Sequence, residues 1–224
     1  MDNNLSDSPL FNALDQTSAL ALRASMIAQE LKKGDVLFQE ADQGDQLYLI
    51  TNGKIKLSHT SNDGRESLFT VLGPGDMFGE LSVFDPGPRT STAIAVTDAS
   101  VLGLKHDVLR PWLTQRPEVA QSLLQALANR LRRNSETMSD LVFADVPGRV
   151  AKVLLQLNEK FGLDSVAGRQ VPHDLTQEEI AQLVGASRET VNKALADFVT
   201  RGWIRLETRS VHILDLDRLQ GRAK

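Results

Sequence analysis

A glycine-rich segment, residues 73–82 (GPGDMFGELS), carries the residue types that an anion-binding loop needs. Gly79 lets a ligand approach the backbone closely, and the amides that follow Glu80 can donate to an oxyanion. Arg89 adds a positive charge, and the hydroxyl of Thr90 adds a further donor. The Glu80 carboxylate cannot bind an anion, but it can accept hydrogen bonds from a sugar hydroxyl. These groups fit a phosphorylated sugar, although they also fit a surface loop that carries a solvated Arg–Glu pair.

A second stretch, residues 174–195, has the spacing of a helix-turn-helix. Thr176 can cap a first helix, and Glu179 three residues later completes a capping box. The motif also requires a small residue where the helices cross, a glycine for the tight turn, a second cap and an apolar residue that packs back. The chain supplies these in order as Ala181, Gly185, Ser187 and Val191.

The second predicted helix has polar side chains at its N-terminal end, which is the end that enters the major groove of DNA in this motif. Arg188 offers a bidentate fork to guanine, and Glu189 can accept from a cytosine amine. Residues 202–213 predict a β-hairpin with Arg209 at its tip, within reach of phosphate, which makes the motif a winged variant. Alternatively, the polar side chains of the second helix only form a solvated surface, and Arg209 is only a solvated charge in a loop. The residues predicted to bind DNA are Thr176, Gln177, Ser187, Arg188, Glu189, Thr190, Asn192, Lys193 and Arg209.

Short strands are predicted to position the first group of residues. Glycines recur about every ten residues between apolar runs, a pattern typical of an antiparallel sandwich or barrel. Asn62, Asp63 and Gly64 predict a hairpin turn, because glycine tolerates a positive φ. A short helix is predicted over residues 18–31, ahead of the strands. The predicted strands contain residues 36–38, 47–50, 55–57, 68–72, 93–96 and 101–104.

From Trp112 onward the apolar period changes to that of a helix. Steps of four and three residues alternate without interruption, which is an a/d heptad seam. The seam predicts one helix over residues 117–143 that pairs with a second copy of itself, although an amphipathic helix can also pack on its own domain. Asn134 on this seam favours a parallel pair of two helices. The seam residues are Ala120, Leu124, Leu127, Leu131, Asn134, Met138 and Leu141.

The segment DVPG (145–148) predicts the end of that helix and a hinge, because proline cannot continue a helix and glycine loosens the chain. A helical pattern resumes at Val150, and residues 162–168 are predicted to form a loop. The chain is thus predicted to have three parts, namely a β-rich domain over 1–110, a dimerisation helix over 111–144 and a winged helix-turn-helix domain over 145–224.

The composition excludes several classes of protein. The chain has no cysteine, which excludes disulfides, zinc fingers, iron–sulfur clusters and thiol nucleophiles. Its four histidines are scattered, so no metal site is predicted, and no acid–base pair or nucleophile with a base indicates catalysis. Neither a secretory signal nor a membrane span is predicted, which favours the cytoplasm. The net charge of −4 argues against nonspecific coating of nucleic acid but permits a local basic face.

Together these motifs resemble the cyclic AMP receptor protein (Crp/Fnr) family of bacterial transcription regulators. The resemblance covers about residues 10–215, with the parts in the same order, and within the family the chain looks most like the actinobacterial regulators that respond to cyclic AMP. The motifs that carry it are GELS (79–82) with Arg89 and Thr90, FDPGPRT (84–90), FAD (143–145), VPGRVAK (146–152) and GASRETV (185–191).

The resemblance implies an α+β fold with an N-terminal cyclic-nucleotide-binding β-roll (jelly-roll), a long dimerisation helix and a C-terminal winged helix-turn-helix. It implies that Glu80 takes the ribose 2′-hydroxyl and that Arg89 and Thr90 hold the cyclic phosphate. Asn134 and Ser135 are implied to contact adenine from both subunits. The implied nucleotide-binding residues are Gly64, Thr70, Gly79, Glu80, Leu81, Ser82, Arg89, Thr90, Arg130, Asn134 and Ser135.

The implied function is that of a homodimer that binds double-stranded DNA under allosteric control by cyclic AMP, without a metal. Its palindromic sites are expected to resemble TGTGA-N6-TCACA, and RNA polymerase is an expected partner. One alternative is a constitutive DNA-binding dimer of the same family whose pocket is degenerate or holds another anionic effector. A second alternative is a regulatory subunit of an enzyme or kinase that uses the cyclic-nucleotide module. The helix-turn-helix disfavours this alternative.

Overall fold

The computed structural model describes residues 8–61, 64, 66–85, 87–166 and 168–224. The helices of the described chain are α1 (Gln16–Ala24), α2 (Leu81–Phe84), α3 (His106–Gln115), α4 (Pro117–Phe143), α5 (Val146–Phe161), α6 (Gln177–Val184), α7 (Arg188–Thr200) and α8 (Leu216–Arg222). The strands are β1 (Ile27–Leu31), β2 (Val36–Phe38), β3 (Gln46–Asn52), β4 (Ile55–Thr60), β5 (Glu66–Leu72), β6 (Met77–Phe78), β7 (Thr92–Ala95), β8 (Ala99–Lys105), β9 (Leu163–Ser165), β10 (Gly168–Pro172), β11 (Ile204–Glu207) and β12 (Ser210–Ile213). The chain divides into two compact units, the first formed by residues 1–59 and 70–133 and the second by residues 60–69 and 134–224.

The strands between residues 27 and 105 form two four-stranded sheets, in the orders β1-β8-β3-β6 and β2-β7-β4-β5. β3 is a central strand that pairs antiparallel with β8 and with β6. Because side chains alternate along a strand, Leu47 and Leu49 enter one core cluster, whereas Tyr48 and Ile50 enter the other. All six predicted apolar runs overlap a strand, so the prediction of an antiparallel β domain is confirmed.

The predicted helix over residues 18–31 is wrong in its second half. Asp15 caps α1 by accepting from the Ser18 amide, and the helix ends at Ala24. The segment that follows, Ile27–Leu31, pairs antiparallel with β8 instead. Five residues of mixed polarity fit a helix or an edge strand equally well, and the neighbouring strand decides between them because it satisfies the backbone donors and acceptors.

α4 has two apolar faces, and its bounds match the predicted range of residues 117–143. Val119 and Leu123 are buried in the core of the first unit. The heptad residues Leu124, Leu131 and Met138 are instead 67%, 68% and 69% exposed. An apolar face that stays exposed in a single chain is the feature that a dimer seam requires.

The segment over residues 145–148, predicted to end α4 and to act as a hinge, is helical from Val146 onward. Asp145 caps α5 by accepting from the Gly148 backbone amide, and α5 begins at Val146. Pro147 and Gly148 therefore lie in the first turn of a helix, and only Ala144 and Asp145 separate α4 from α5. Proline is tolerated in a first turn because the amides there have no partner within the helix.

The predicted loop over residues 162–168 is also wrong, because β9 pairs with β10 inside a sheet of order β11-β12-β10-β9. Arg169 on β10 holds this hairpin against the end of α5 by donating to Asn158, to the Gly162 carbonyl and to Asp164. A strand of three residues has no period that a sequence pattern can reveal. The second hairpin, β11 with β12, confirms the prediction for residues 202–213.

Asp145 is expected to make the stability of the second unit depend on acid pH. A hydrogen bond from Arg222, and then one from the Gly148 amide, hold the pKa of Asp145 below the usual range of an aspartate. A carboxylate whose pKa is lowered by folding contributes stability above its unfolded pKa, and this contribution is lost as the pH falls through the folded pKa. Asp145→Asn keeps a good cap but removes the charge, so its unfolding free energy should fall less steeply with acid than that of the wild type.

Urea unfolding between about pH 6 and pH 3 measures this slope. The matched control is Asp217→Asn, which removes one charge from an exposed position at the start of α8. Parallel pH profiles for the wild type and Asp145→Asn would contradict the prediction.

Candidate functional site

A concave site, partly open to solvent, lies in the first unit. It brings together seven of the predicted nucleotide-binding residues, namely Gly79, Glu80, Leu81, Ser82, Arg89, Thr90 and Arg130. Phe38, Leu57 and Ser91, which the sequence patterns did not reveal, complete the lining. The predicted anion-binding segment therefore forms one wall of a concave site.

Arg89 is a buried cation at this wall, with 5% of its surface exposed. Its Nη1 donates to the Gly79 carbonyl at 2.9 Å and its Nη2 to the Gln46 carbonyl at 2.8 Å. Burial lowers the pKa of Arg89, but a guanidinium stays charged in proteins. Its Nε is buried and has no hydrogen-bond partner in the described chain. A buried positive charge whose hydrogen bonds go to neutral carbonyls favours an anionic ligand, since buried charges are normally paired.

Glu80 is buried beside the same cavity, with 1% of its surface exposed. Its Oε1 accepts from Nη1 of Arg130 at 2.5 Å, and Nη2 of Arg130 donates to the Met77 carbonyl at 2.6 Å. Oε2 of Glu80 is buried without a hydrogen-bond partner in the described structure. The alternative of a solvated Arg–Glu pair is therefore wrong, because Glu80 and Arg89 are both buried and each has other partners.

Two glycines make room for Arg89. Gly79 has a φ of +75°, and a Cβ there would lie 2.7 Å from Nη1 of Arg89. At Gly44 a Cβ would overlap the side chain of Ser82 and lie 3.0 Å from Nε of Arg89. The motif singled out Gly79 for the close approach of a ligand, and the structure adds its contact with Arg89. Gly44 lies far from the motif in the sequence, and only the fold brings it there.

The helix-turn-helix of the second unit forms as predicted. The Thr176 side chain accepts from the Glu179 amide, and the Glu179 carboxylate accepts in return from the Thr176 amide, which completes the capping box. Gly185 adopts the left-handed conformation at the end of α6, with φ +68°. Ser187 caps α7 by accepting from the Thr190 amide, and Val191 is fully buried.

The predicted DNA-binding residues lie mostly on the exposed side of this motif. Thr176, Gln177, Ser187, Arg188, Glu189, Thr190, Lys193 and Arg209 are exposed, and Asn192 is half-buried. Glu189 and Lys193, four residues apart on α7, form an ion pair of 2.8 Å on the exposed face. Arg209 lies in the turn between β11 and β12 with a φ of +59°, so it stands at the tip of the wing as predicted.

Comparisons with known proteins match both parts of the chain to known families. Residues 28–116 match the cyclic nucleotide-binding domain family, and residues 148–222 match the Crp-like helix-turn-helix domain family. The chain is 52% identical, over 224 residues and the whole of both chains, to the CRP-like cAMP-activated global transcriptional regulator of Mycobacterium tuberculosis. The chain belongs to the Crp family of transcription regulators.

Other members of the Crp family match the chain over nearly its whole length at lower identity. The chain is 35% identical over 214 residues, 95% of each chain, to the cyclic AMP receptor protein of Thermus thermophilus. Among solved structures, the catabolite activator protein of Thermus thermophilus has 32% identity and a TM-score of 0.56, and the match covers 96% of this chain and 98% of that one. The resemblance predicted from the motifs is thus confirmed. The predicted fold is confirmed as well: it consists of a β-rich nucleotide-binding domain, a long helix and a helix-turn-helix domain.

As a Crp-family protein, the chain is a DNA-binding transcription regulator with a cyclic nucleotide-binding domain, and it is not an enzyme. Among the described residues, no group of three or more His, Asp or Glu side chains is arranged to hold a metal ion. No helix in the described ranges combines the length and the apolarity needed to cross a membrane.

The remaining predicted ligand residues are placed elsewhere. Thr70 lies on β5, outside the lining of the cavity. Gly64, Asn134 and Ser135 belong to the second unit, so their roles toward the nucleotide stay predictions. Gly64 has the positive φ expected of the hairpin turn, at +82°, whereas Asn62 and Asp63 lie outside the described residues.

Proposed function

We propose that this protein is a homodimeric transcription regulator whose affinity for DNA is controlled by cyclic AMP. The observation that carries the proposal is that a buried cation, Arg89, and a buried carboxylate, Glu80, line the same cavity without pairing with each other. Nε of Arg89 and Oε2 of Glu80 are both buried without partners in the described chain. Leaving such groups unpaired costs about 1–3 kcal/mol each, and a cyclic nucleotide supplies a partner for both.

The chemistry of the cavity matches the two ends of a cyclic ribose phosphate. The Arg89 guanidinium can donate to the cyclic phosphate, and the hydroxyls of Ser82 and Thr90 add donors. Oε2 of Glu80 can accept from the ribose 2′-hydroxyl, while Arg130 holds the carboxylate in place through Oε1. The relatives named as cAMP-activated and as a cyclic AMP receptor support adenine as the base.

Dimerisation through residues 117–143 is supported by the exposed apolar face of α4. Leu124 and Met138 are 67% and 69% exposed, although Val119 and Leu123 on the same helix are buried. Pairing two copies along the heptad seam would bury this face. A parallel pair also places two recognition helices about one turn of DNA apart, about 34 Å.

The DNA sites are proposed to be palindromes that resemble TGTGA-N6-TCACA. The two-fold symmetry of a parallel dimer requires the palindrome, whereas the half-site follows from the family resemblance. Arg188 and Glu189 are the proposed readers of bases, and Arg209 is a proposed phosphate contact. RNA polymerase as a further partner and the cytoplasm as the site of action are proposed from the resemblance alone.

Titration calorimetry and DNA binding together test this function. The wild-type protein should bind cyclic AMP, and saturating cyclic AMP should raise its affinity for a labelled palindromic duplex by about 5- to 150-fold, the range of typical allosteric coupling. Fluorescence anisotropy at fixed salt measures that ratio, with 5′-AMP as the control nucleotide. Tight DNA binding that cyclic AMP does not change would instead support the constitutive dimer.

Arg188 and Arg209 are expected to contribute to DNA binding in different ways. Arg188→Ala should lose roughly 1–3 kcal/mol of discrimination at one G·C pair in each half-site, because a bidentate contact to guanine is removed. Arg209→Ala should weaken binding to all sequences alike and flatten the dependence on salt, because phosphate contacts release counterions. Anisotropy with matched and mismatched duplexes across a salt series separates the two. An unchanged base preference in Arg188→Ala would assign the reading to another residue.

A further inference from the structure

An aromatic cluster lies directly against the guanidinium of Arg89. The Arg89 Cζ is 4.3 Å from the centroid of the Phe38 ring and 5.6 Å from that of Tyr48. The two rings stack on each other with centroids 5.8 Å apart, and Tyr48 stacks in turn on Phe78 at 5.4 Å. Three different strands, β2, β3 and β6, supply these rings. The cluster therefore forms only when the domain is folded.

We propose that Phe38 is the positioning residue for Arg89: its ring supports the face of the guanidinium so that the Nε edge is presented to the phosphate of the ligand. Phe38 is buried and lines the cavity itself, whereas Tyr48 is not part of the lining. This inference rests on the proposed function in one respect, that the ligand is a cyclic nucleotide.

The hydrogen bonds of Arg89 do not by themselves fix the plane of its guanidinium group. The carbonyls of Gly79 and Gln46 hold Nη1 and Nη2, but two hydrogen bonds along one edge still allow the plane to tilt. A ring packed on the face of the guanidinium opposes that tilt, and it is attracted to the cation through its π electrons. A cation held in place before binding saves the entropy of ordering it at the moment of binding.

Tyr48 is fixed more firmly than Phe38, which makes Phe38 the residue to vary. The Tyr48 hydroxyl accepts from Nε2 of Gln46 at 2.7 Å, and the backbone of β3 pairs on both sides. β2 has only three residues, and it pairs with β7 through an irregular register. Replacement of Phe38 by leucine therefore removes the π face while it keeps an apolar side chain of similar burial.

The test compares Phe38→Leu with Phe38→Tyr, which retains the ring, and with Phe11→Leu. Phe11 is 3% exposed and lies in the other core cluster of the same unit, so its variant controls for the loss of a buried ring. Phe38→Leu should bind cyclic AMP about 10-fold more weakly by calorimetry, which corresponds to about 1.4 kcal/mol. Phe38→Tyr should stay close to the wild type, and Phe11→Leu should lower the melting temperature without weakening binding.

Two further measurements separate positioning from packing. The two diastereomers of the cyclic adenosine phosphorothioate present sulfur at different phosphate positions, so the ratio of their affinities reports how Arg89 is aimed. That ratio should approach one in Phe38→Leu and stay at the wild-type value in Phe11→Leu. In the ligand-free protein, the NMR signal of the Arg89 Nε–H should be shifted by the ring current in the wild type and should lose this shift in Phe38→Leu.

The outcomes distinguish this inference from the proposed function. A wild-type protein that binds no cyclic nucleotide would overturn the proposed function, and the NMR signal would still decide whether Phe38 orients Arg89. An unchanged Arg89 signal in Phe38→Leu would overturn the positioning role, as would an unchanged diastereomer ratio in a variant that binds cyclic AMP. Equal losses of affinity in Phe38→Leu and Phe11→Leu would overturn it as well.

Discussion

Arg89→Leu should weaken the binding of cyclic AMP by about 2–5 kcal/mol, the scale for removing one partner of a desolvated charged pair. The reason lies in the burial of Arg89, which lines the cavity and whose Nε has no hydrogen-bond partner in the described chain. In the variant, the cyclic phosphate would lose its water without gaining a cation. Isothermal titration calorimetry with the wild-type and variant proteins measures the loss.

The substitution also leaves the carbonyls of Gly79 and Gln46 without a donor, so folding must be followed by circular dichroism. Arg89→Lys keeps the charge but loses the planar fork, and it should bind with intermediate affinity. Arg110→Leu, at an exposed position on α3, is the control for the loss of one arginine from the same unit. A folded Arg89→Leu protein with wild-type affinity would refute the phosphate assignment.

Leu124→Asp should convert the protein from a dimer into a monomer. Leu124 is 67% exposed in the single chain and stands at a heptad position, so the proposed seam would place two aspartates, one from each copy, in an apolar interface. Burying unpaired carboxylates costs several kcal/mol, and the dimer dissociation constant should rise by roughly three orders of magnitude. Sedimentation velocity measures the mass, and anisotropy should show a parallel loss of affinity for the palindromic duplex.

Gln121→Asp provides the matched control, because Gln121 is exposed on the same helix but lies off the seam. It introduces the same charge and should remain a dimer. The seam assignment fails if Leu124→Asp sediments as a dimer, or if both variants dissociate alike. The apolar face of α4 would then have another role.

The parts of the fold that depend on local spacing could be predicted from the sequence. Caps, turn glycines and heptad steps are local requirements, and they predicted α4 from Pro117 to Phe143 and both caps of the helix-turn-helix. Prediction failed where the segment was short or depended on a neighbour. Residues 27–31 became a strand because β8 pairs with them, and residues 163–165 did so because β10 does.

For the site, the sequence by itself determined the chemical groups, since the motif placed Gly79, Glu80 and Arg89 within eleven residues. Only the tertiary structure decided their partners. Glu80 pairs with Arg130, 50 residues away, and Arg89 donates to the Gln46 carbonyl, 43 residues away. Gly44 leaves room for the side chains of Ser82 and Arg89, and the Phe38 ring packs on Arg89. No local sequence pattern predicts either contact. The sequence thus determined which charges are present, whereas packing decided that they are buried, separated and aimed at one cavity, because burial and long-range contacts exist only once the strands have assembled.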